Sequence, residues 1–384
     1  MYSNNPTLIF SKNRKDLKPP LLLDPILLAV TIALVLFSIV MIYSTTGVTS
    51  QEKFGDSLYY VKKQGVAALL GFVLMYIFAK QPLDFYRRIS VFMYPLCLGL
   101  LLLTYIPGLG SASGGAQRWL NLGGLNLQPA EFVKVCFVIF IAGFFARQER
   151  NLESFTTALV IPMVYFAPIA LLLLLQPDFG STAILTMVIL AMALAAGVKL
   201  RHILVLGGTC LAMLGALIVI SPYRMTRVLT FLSPMQDVQG KGYQLTQSLI
   251  TVAGGNWTGT GLGGSVQKLF FLPAAHTDFI YAVIAEEWGF LGAVTVLAAF
   301  LIFLARGLKV ASRLTDDTFS FSLTVGLTLL IVAPALINMG VVTGLLPTKG
   351  LVLPLLGYGG SSIMTSLAIV GILLALARES RIKI

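Results

Sequence analysis

One carboxylate and one of the chain's two histidines lie together in residues 272–278, which read LPAAHTD and lead directly into an apolar run over 279–304. A charged group at the mouth of a membrane helix is partly desolvated, and groups kept at that cost are generally functional. We therefore take Asp278 as the first candidate for acid–base chemistry. His276 and Thr277, its neighbours, are candidate substrate contacts.

Cations that could bind an anionic group occur in three other segments. Arg118 lies in the glycine-rich segment 107–129, and Lys349 follows a Leu-Pro-Thr between two apolar runs. Lys134 follows Glu131 by three residues, which puts both on one face of a helix. Each has a plainer alternative: an interfacial anchor on a flexible hairpin for Arg118, a structural ion pair for Glu131 and Lys134, and a solvated loop lysine for Lys349. Gln244 and Ser361 complete the candidate substrate-binding residues.

Three further carboxylates have structural interpretations, and for Glu286 and Glu287 a functional role is equally open. Asp178 stands in a very short turn before an apolar run, where it can cap the following helix. Glu286 and Glu287 lie two turns into the run that follows Asp278. We expect one of them to pair with a cation or to hydrogen-bond inside a helix bundle.

The elements that hold these residues are membrane helices. The chain is 57% hydrophobic and 11% charged over 384 residues, whereas soluble proteins carry about 25% charged residues. Runs long enough to cross a bilayer as helices recur at 25–46, 65–79, 91–106, 130–146, 157–175, 180–197, 203–221, 279–304, 319–345 and 361–377. The sequence predicts an all-α, polytopic integral membrane protein with about ten transmembrane helices.

The net charge of +11 is explained by topology rather than by nucleic-acid binding. With the N-terminus in the cytoplasm, most Lys and Arg residues fall in the short inside segments, which is the positive-inside pattern. Ten spans then bring both termini to the cytoplasm and Asp278 to the outer face. We divide the single membrane domain, 1–384, into a tail over 1–24, a large extracytoplasmic loop over 222–278 and a tail over 378–384. The three cysteines all fall in apolar runs, so we expect neither disulfides nor a metal site from them.

Six segments carry a resemblance to a known family. They read GAQRWL, QPAEFVKV, QPDFGST, GLGGSVQKLFFLPAAHTDFI, AHTDFIYAVIAEEWGFLGA and LPTKGLVLPLLGYGGSS. In this order they resemble the SEDS family, the shape, elongation, division and sporulation proteins of bacteria, over about residues 25–377. The LPTKG and GLGGSVQKL segments are most similar to the division branch. Two departures, Gly357 where serine is common and Ala274 where an acid is frequent, do not touch the proposed chemistry.

The resemblance implies a peptidoglycan glycosyltransferase that polymerises lipid II and releases undecaprenyl diphosphate at the bacterial inner membrane, at the division septum. It implies a class B penicillin-binding protein (an FtsI-like transpeptidase) and other divisome membrane proteins as partners. Asp278 matches the family's essential acid. Arg118, Glu131, Lys134 and Lys349 match functionally sensitive positions.

The residue inventory suits a reaction in which Asp278 accepts the proton of the attacking sugar hydroxyl. Cations then stabilise the departing diphosphate, with a divalent ion (Mg²⁺ or Mn²⁺) held partly by that diphosphate. A lipid II flippase would use the same spans and cations, and a non-catalytic divisome scaffold would need only the helices. The polar residues gather at the outer ends of the spans rather than at the midplane where transporters bind, which favours the enzyme.

Overall fold

The structure is a computed structural model, and it describes residues 24–113, 116–122, 125–220, 225, 242–268, 271–347 and 350–382. Its helices, in chain order, are α1 (Pro25–Phe54), α2 (Tyr59–Lys80), α3 (Leu83–Ile89), α4 (Met93–Leu102), α5 (Pro129–Arg147), α6 (Ile161–Leu175), α7 (Phe179–Ala195), α8 (Leu200–Ile220), α9 (Tyr243–Gly254), α10 (Ile280–Ala311), α11 (Thr318–Val342) and α12 (Gly360–Ile382). The strands are β1 (Gly110–Ser113), β2 (Ala116–Leu122) and β3 (Leu125–Leu127).

Every predicted apolar run is helical, which confirms the all-α class. Within the described residues, seven helices are long and apolar enough to cross a membrane, and α3 with α4, bent by 61°, makes an eighth if the pair is one span. The two remaining predicted runs, 180–197 and 203–221, form α7 and α8, whose apolar stretches are shorter. The chain is thus a polytopic membrane protein.

Helices α5, α11 and α12 form the centre of the bundle, because most of their surface is buried against other helices. Helix α2 packs very closely on α12. A Cβ on Gly71 would lie 2.6 Å from Cδ1 of Leu367, and one on Gly371 would lie 2.4 Å from the carbonyl oxygen of Met75. Small residues let membrane helices approach in this way. By contrast, α2 and α10 expose much of their apolar surface.

The segments predicted to lie inside meet at one end of the bundle. There Asp24 pairs with Arg306, and Nη2 of Arg87 lies 2.8 Å from Oδ1 of Asp317. Asp24 also caps α1, accepting the amide of Leu27 at 3.0 Å, and residues 378–382 continue α12. Of the two predicted tails, residues 1–23 and 383–384 lie outside the described residues.

At the opposite end, the glycine-rich segment is an antiparallel sheet in the order β1-β2-β3. The described part of this segment is therefore a three-stranded sheet rather than a flexible hairpin. Arg118 lies on β2 at an irregularity in the pairing with β1, between the pairs Ser111–Trp119 and Ala112–Gln117.

The described part of the large loop packs on the bundle, as its low apolar content suggests. Ser248 of α9 donates to the carbonyl of Val342 at 2.8 Å. Further on, residues 256–261 lie against a break in α10 at Gly289, where φ is 66°.

Backbone groups freed by this break are paired with the loop. The carbonyls of Glu286 and Glu287 accept the amides of Thr260 (2.9 Å) and Gly261 (3.0 Å), and the amide of Phe290 donates to the carbonyl of Asn256 (2.9 Å). An interrupted membrane helix needs such replacement partners. We call residues 256–261 the clasp.

Candidate functional site

A polar cavity opens at the end of the bundle that carries the sheet. Its volume is about 670 Å³, counted with its opening to solvent. Four charged side chains line it: Arg118, Glu131, Lys134 and Asp178. The remaining wall comes from Gln128, α7, α11, α12 and residues 350–354. We call this the first cavity.

Glu131 and Lys134 form an ion pair within the first cavity. Nζ of Lys134 lies 2.8 Å from Oε1 of Glu131, and their side chains are 11% and 20% exposed. Pro129 starts α5 at a favoured first helical position, which fixes the pair one turn inside the helix. Glu131 and Lys134 thus form an ion pair that also lines the cavity, and their contact with substrate stays a prediction.

Arg118 joins the sheet to the turn between α6 and α7. Its Nε donates to the carbonyl of Gln176 at 2.6 Å and its Nη2 to that of Pro177 at 2.9 Å. A guanidinium has five N–H donors, so donors remain for an anion. In the same turn Asp178 accepts the amide of Ser181 at 3.0 Å and its hydroxyl at 2.7 Å, which confirms the predicted cap of α7.

Asp278 lies at the edge of this cavity, just before α10. A Cβ on Gly350, which lines the cavity, would be 3.1 Å from Oδ2 of Asp278. Burial raises the pKa of Asp278 to about 6, and a hydrogen bond from Thr277 opposes the rise. A carboxyl with this pKa is ionised at neutral pH and is a far better proton acceptor than an exposed aspartate.

The main chain at Asp278 is fixed by a residue that the sequence analysis did not assign to the site. Nδ2 of Asn338, on α11, donates to the carbonyls of Asp278 (2.7 Å) and Leu351 (2.6 Å). Asn338 is 1% exposed. It therefore connects the candidate base to the wall of the first cavity. Only its position one turn beyond Pro334, which also lines the cavity, could have hinted at this.

His276 lies in an aromatic cluster on the other side of Asp278. Its ring is 5.4 Å from that of Tyr60 and 5.7 Å from that of Tyr358, and its carbonyl accepts the amide of Tyr358 at 2.8 Å. Burial lowers the pKa of His276, and the charge of Lys53 lowers it further. Neutral imidazole is therefore the main form at pH 7.

The other candidates are more scattered. The hydroxyl of Ser361 accepts the amide of Gln128 at 2.8 Å, a structural contact at the start of α12. Gln244 is exposed on α9 and is not part of the cavity lining. Lys349 lies outside the described residues, next to Gly350 in the chain.

The two glutamates of α10 both have partners. Glu287 accepts from Nζ of Lys268 at 2.6 Å and from the hydroxyl of Ser44 at 2.6 Å. Glu286 accepts from the hydroxyl of Ser265. This confirms that one of them pairs with a cation. The partner, a loop lysine, was not foreseen. Within the described part of the chain no three His, Cys, Asp or Glu side chains are grouped to hold a metal.

Fold and site together define a membrane-embedded helical protein with a charged cavity at one end and a half-buried carboxylate at its edge. Residues 25–382 match the model of a family described as cell cycle protein, that of FtsW, RodA and SpoVE, and the chain belongs to that family.

Relatives and solved structures agree with the family. The probable peptidoglycan glycosyltransferase FtsW of Nitrosococcus halophilus is 42% identical over 360 residues, 93% of each chain. That of Legionella pneumophila is 38% identical, covering 99% of this chain and 97% of its own.

Among solved structures, a chain from a study of structural coordination of polymerization and crosslinking by a peptidoglycan synthase complex matches with a TM-score of 0.77 and 28% identity, over 94% of this chain and 98% of that one. The rod shape determining protein RodA of Thermus thermophilus matches with a TM-score of 0.67 and 25% identity, over 93% and 97%.

Proposed function

We propose that the protein is a peptidoglycan glycosyltransferase of the division branch, which polymerises lipid II with Asp278 as the general base. The observation that carries this is the carboxylate of Asp278, with a pKa of about 6, beside a cavity lined by Arg118 and Lys134. The relatives named FtsW support the reaction class.

In the proposed step the hydroxyl of the acceptor sugar gives its proton to a carboxylate oxygen of Asp278. The oxygen of that sugar hydroxyl then attacks the anomeric carbon of the donor. The bond from that carbon to the diphosphate oxygen breaks, and the polyprenyl diphosphate leaves with the electron pair. Proton transfer to a positioned base contributes about 10²–10⁴-fold to rate. Cations aimed at the departing diphosphate stabilise the charge that develops there.

Arg118, Lys134 and Lys349 are the proposed diphosphate contacts. The divalent ion, Mg²⁺ or Mn²⁺, stays a prediction. The two carboxylates that line the first cavity are already engaged, Glu131 by Lys134 and Asp178 by Ser181. An ion would therefore take most of its ligands from the diphosphate. His276 and Thr277 are proposed to position the base and the acceptor.

We place the protein in the bacterial inner membrane at the septum, with both termini in the cytoplasm, beside a class B penicillin-binding protein. The similarity to a chain of a peptidoglycan synthase complex supports such a partner. Lipid II, other divisome proteins and membrane lipids complete the proposed partners.

The experiment compares the parent protein with Asp278→Asn, each purified with its transpeptidase partner and given lipid II. Asparagine keeps the shape and removes the base, so glycan polymer should fall at least about 100-fold. Undiminished polymer would eliminate Asp278 as the base. Translocation of lipid II in proteoliposomes, equal in both proteins and without polymer, would support the flippase instead. If the parent complex shows neither polymerisation nor translocation, the non-catalytic scaffold role is the remaining alternative.

A further inference from the structure

A second cavity lies on the other side of the start of α12. It measures about 900 Å³, counted with its opening, and lies between the outer half of α2, the first turns of α12 and β3. The two cavities share helix α12 but no lining residue. Ser362 and Thr365 of α12 face the first cavity, whereas Gly360 and Met364 face the second.

The mouth of the second cavity is cationic. Lys62 and Lys63 line it, and both side chains are exposed. Nζ of Lys62 lies 2.7 Å from Oδ2 of Asp56, and Nζ of Lys63 lies 2.6 Å from the hydroxyl of Tyr59. Exposed pairs of this kind hold their partners by at most about 1 kcal/mol. Both ammonium groups can therefore turn to a more highly charged anion.

The wall below the mouth is apolar and open to the membrane. Val66 and Leu70 of α2 line it and are 55% and 42% exposed. Val73, 50% exposed, continues the same face of α2 beyond the cavity. A molecule that fits this surface has an anionic head at the lysines and a hydrocarbon tail along α2.

Asp278 lies between the two cavities. Tyr358 lines the second one, and its amide donates to the carbonyl of His276, two residues before Asp278. On the other side, the carboxylate of Asp278 adjoins Gly350, which lines the first cavity. A base in this position can serve substrates held on both sides of it.

We propose that the second cavity binds the polyprenyl diphosphate portion of one of the two lipid-linked substrates. This inference rests on the proposed function, because a polymerase that joins a lipid-linked donor to a lipid-linked acceptor needs two sites for a lipid diphosphate. The first cavity then holds one diphosphate at Arg118 and Lys134. The second holds the other at Lys62 and Lys63, with the prenyl tail along Val66 and Leu70.

The test is photolabelling with a polyprenyl diphosphate that carries a diazirine in its prenyl tail, applied to the purified full chain in nanodiscs and mapped by peptide mass spectrometry. Labelling of α2 over residues 66–73 is expected. Lys62→Gln/Lys63→Gln should reduce this labelling at least about tenfold, because two charge-assisted contacts to the diphosphate are lost. The matched control, Lys80→Gln/Arg88→Gln, removes two exposed cations at the opposite end of α2 and on α3 and should change it less than twofold.

A second pair of variants tests the apolar wall without altering charge. Val66→Trp fills the second cavity from its exposed rim and should abolish the labelling. Leu301→Trp adds the same bulk at an exposed apolar position of α10, outside both cavities, and should not. Equal labelling in Val66→Trp and Leu301→Trp, or in Lys62→Gln/Lys63→Gln and Lys80→Gln/Arg88→Gln, overturns the proposal.

Competition identifies the source of the phosphate. Unlabelled polyprenyl diphosphate should displace the probe at concentrations at least about tenfold below those of phosphatidylglycerol. Equal displacement by phosphatidylglycerol would make this an ordinary phospholipid site and would overturn the assignment. Binding needs no turnover, so the assay is repeated with Asp278→Asn. Labelling there is expected to persist even if the proposed function fails.

Discussion

Replacing Asp278 by asparagine should stabilise the protein at neutral pH while it removes activity. The pKa of this carboxyl is raised from 3.8 to about 6 because it is buried. Each pKa unit corresponds to 1.36 kcal/mol, so ionisation lowers the free energy of unfolding by about 3 kcal/mol. Asparagine carries no charge at any pH and avoids this cost.

The sign of the pH dependence follows from the direction of the shift. The folded protein holds this proton more tightly than the unfolded chain does, so the contribution of Asp278 to stability falls as pH rises from about 4 to about 6. Above about pH 6 the full cost is present, and near pH 4 most of it is gone. The advantage of Asp278→Asn is therefore about 3 kcal/mol at pH 7.5 and below about 1 kcal/mol at pH 4.

Thermal unfolding in detergent at the two pH values measures this difference. At pH 7.5 we expect Asp278→Asn to melt several degrees above the parent, and at pH 4 the two curves should nearly coincide. Glu153→Gln is the control, because that carboxylate is exposed and its hydrogen bond from Lys199 lowers its pKa. It should not raise the melting temperature at pH 7.5. If the parent protein is as stable as Asp278→Asn at pH 7.5, ionisation of the Asp278 carboxyl carries no desolvation cost and its raised pKa is refuted.

Three further substitutions test the parts that hold the site. Lys268→Met leaves the carboxylate of Glu287 buried without its cation and should lower the free energy of unfolding by about 3 kcal/mol. Most of this loss should be recovered in Lys268→Met/Glu287→Gln. Equal melting temperatures for the single and double variants would contradict a coupled pair. Asn338→Leu should lower the polymerisation rate at saturating lipid II by about tenfold or more with little change in KM. The reason is that it frees the main chain of Asp278 and removes no substrate contact. A change in KM alone would argue against this role. Gly259→Ala should lower the melting temperature more than Gly261→Ala. Both glycines have positive φ, but only at Gly259 would the added Cβ meet backbone, 2.2 Å from the carbonyl oxygen of Glu287. Equal losses would show that residues 256–261 can shift to accept the added methyl group.

Features set by local composition could be predicted from the sequence. Membrane helices are fixed by runs of apolar residues, and all of the predicted runs are helices in the structure. The caps and short-range pairs were also accessible, because Asp178 and its target amide are three residues apart, as are Glu131 and Lys134. Asp278 stood out because a charge beside an apolar run is unusual.

Features that depend on distant parts of the chain could not be predicted. The contact of Asn338 with Asp278 spans 60 residues and that of Ser44 with Glu287 spans 243. No periodicity records such pairs. The break at Gly289 depends on the clasp, which supplies the hydrogen bonds that the helix gives up. Glycine there was compatible with an ordinary helix until the loop was placed against it.

The small sheet was missed for a different reason. Its strands have only three to seven residues and lie in a glycine-rich segment, so they are too short to show the sustained alternating pattern by which strands are recognised. What orders them is the pairing of three strands and the anchorage of Arg118 on the turn after α6.

The most direct test of the account is the pH dependence of glycan polymerisation from lipid II, with the partner's transpeptidase blocked by a β-lactam. It is measured at lipid II concentrations well below KM, where the rate follows kcat/KM and reports the pKa of the protein without substrate. With Asp278 as the base and a pKa of about 6, the rate should rise through a single ionisation, and the rate at pH 5 should be about a tenth of that at pH 7. A rate that stays constant from pH 7 down to pH 4.5 would contradict proton transfer to Asp278.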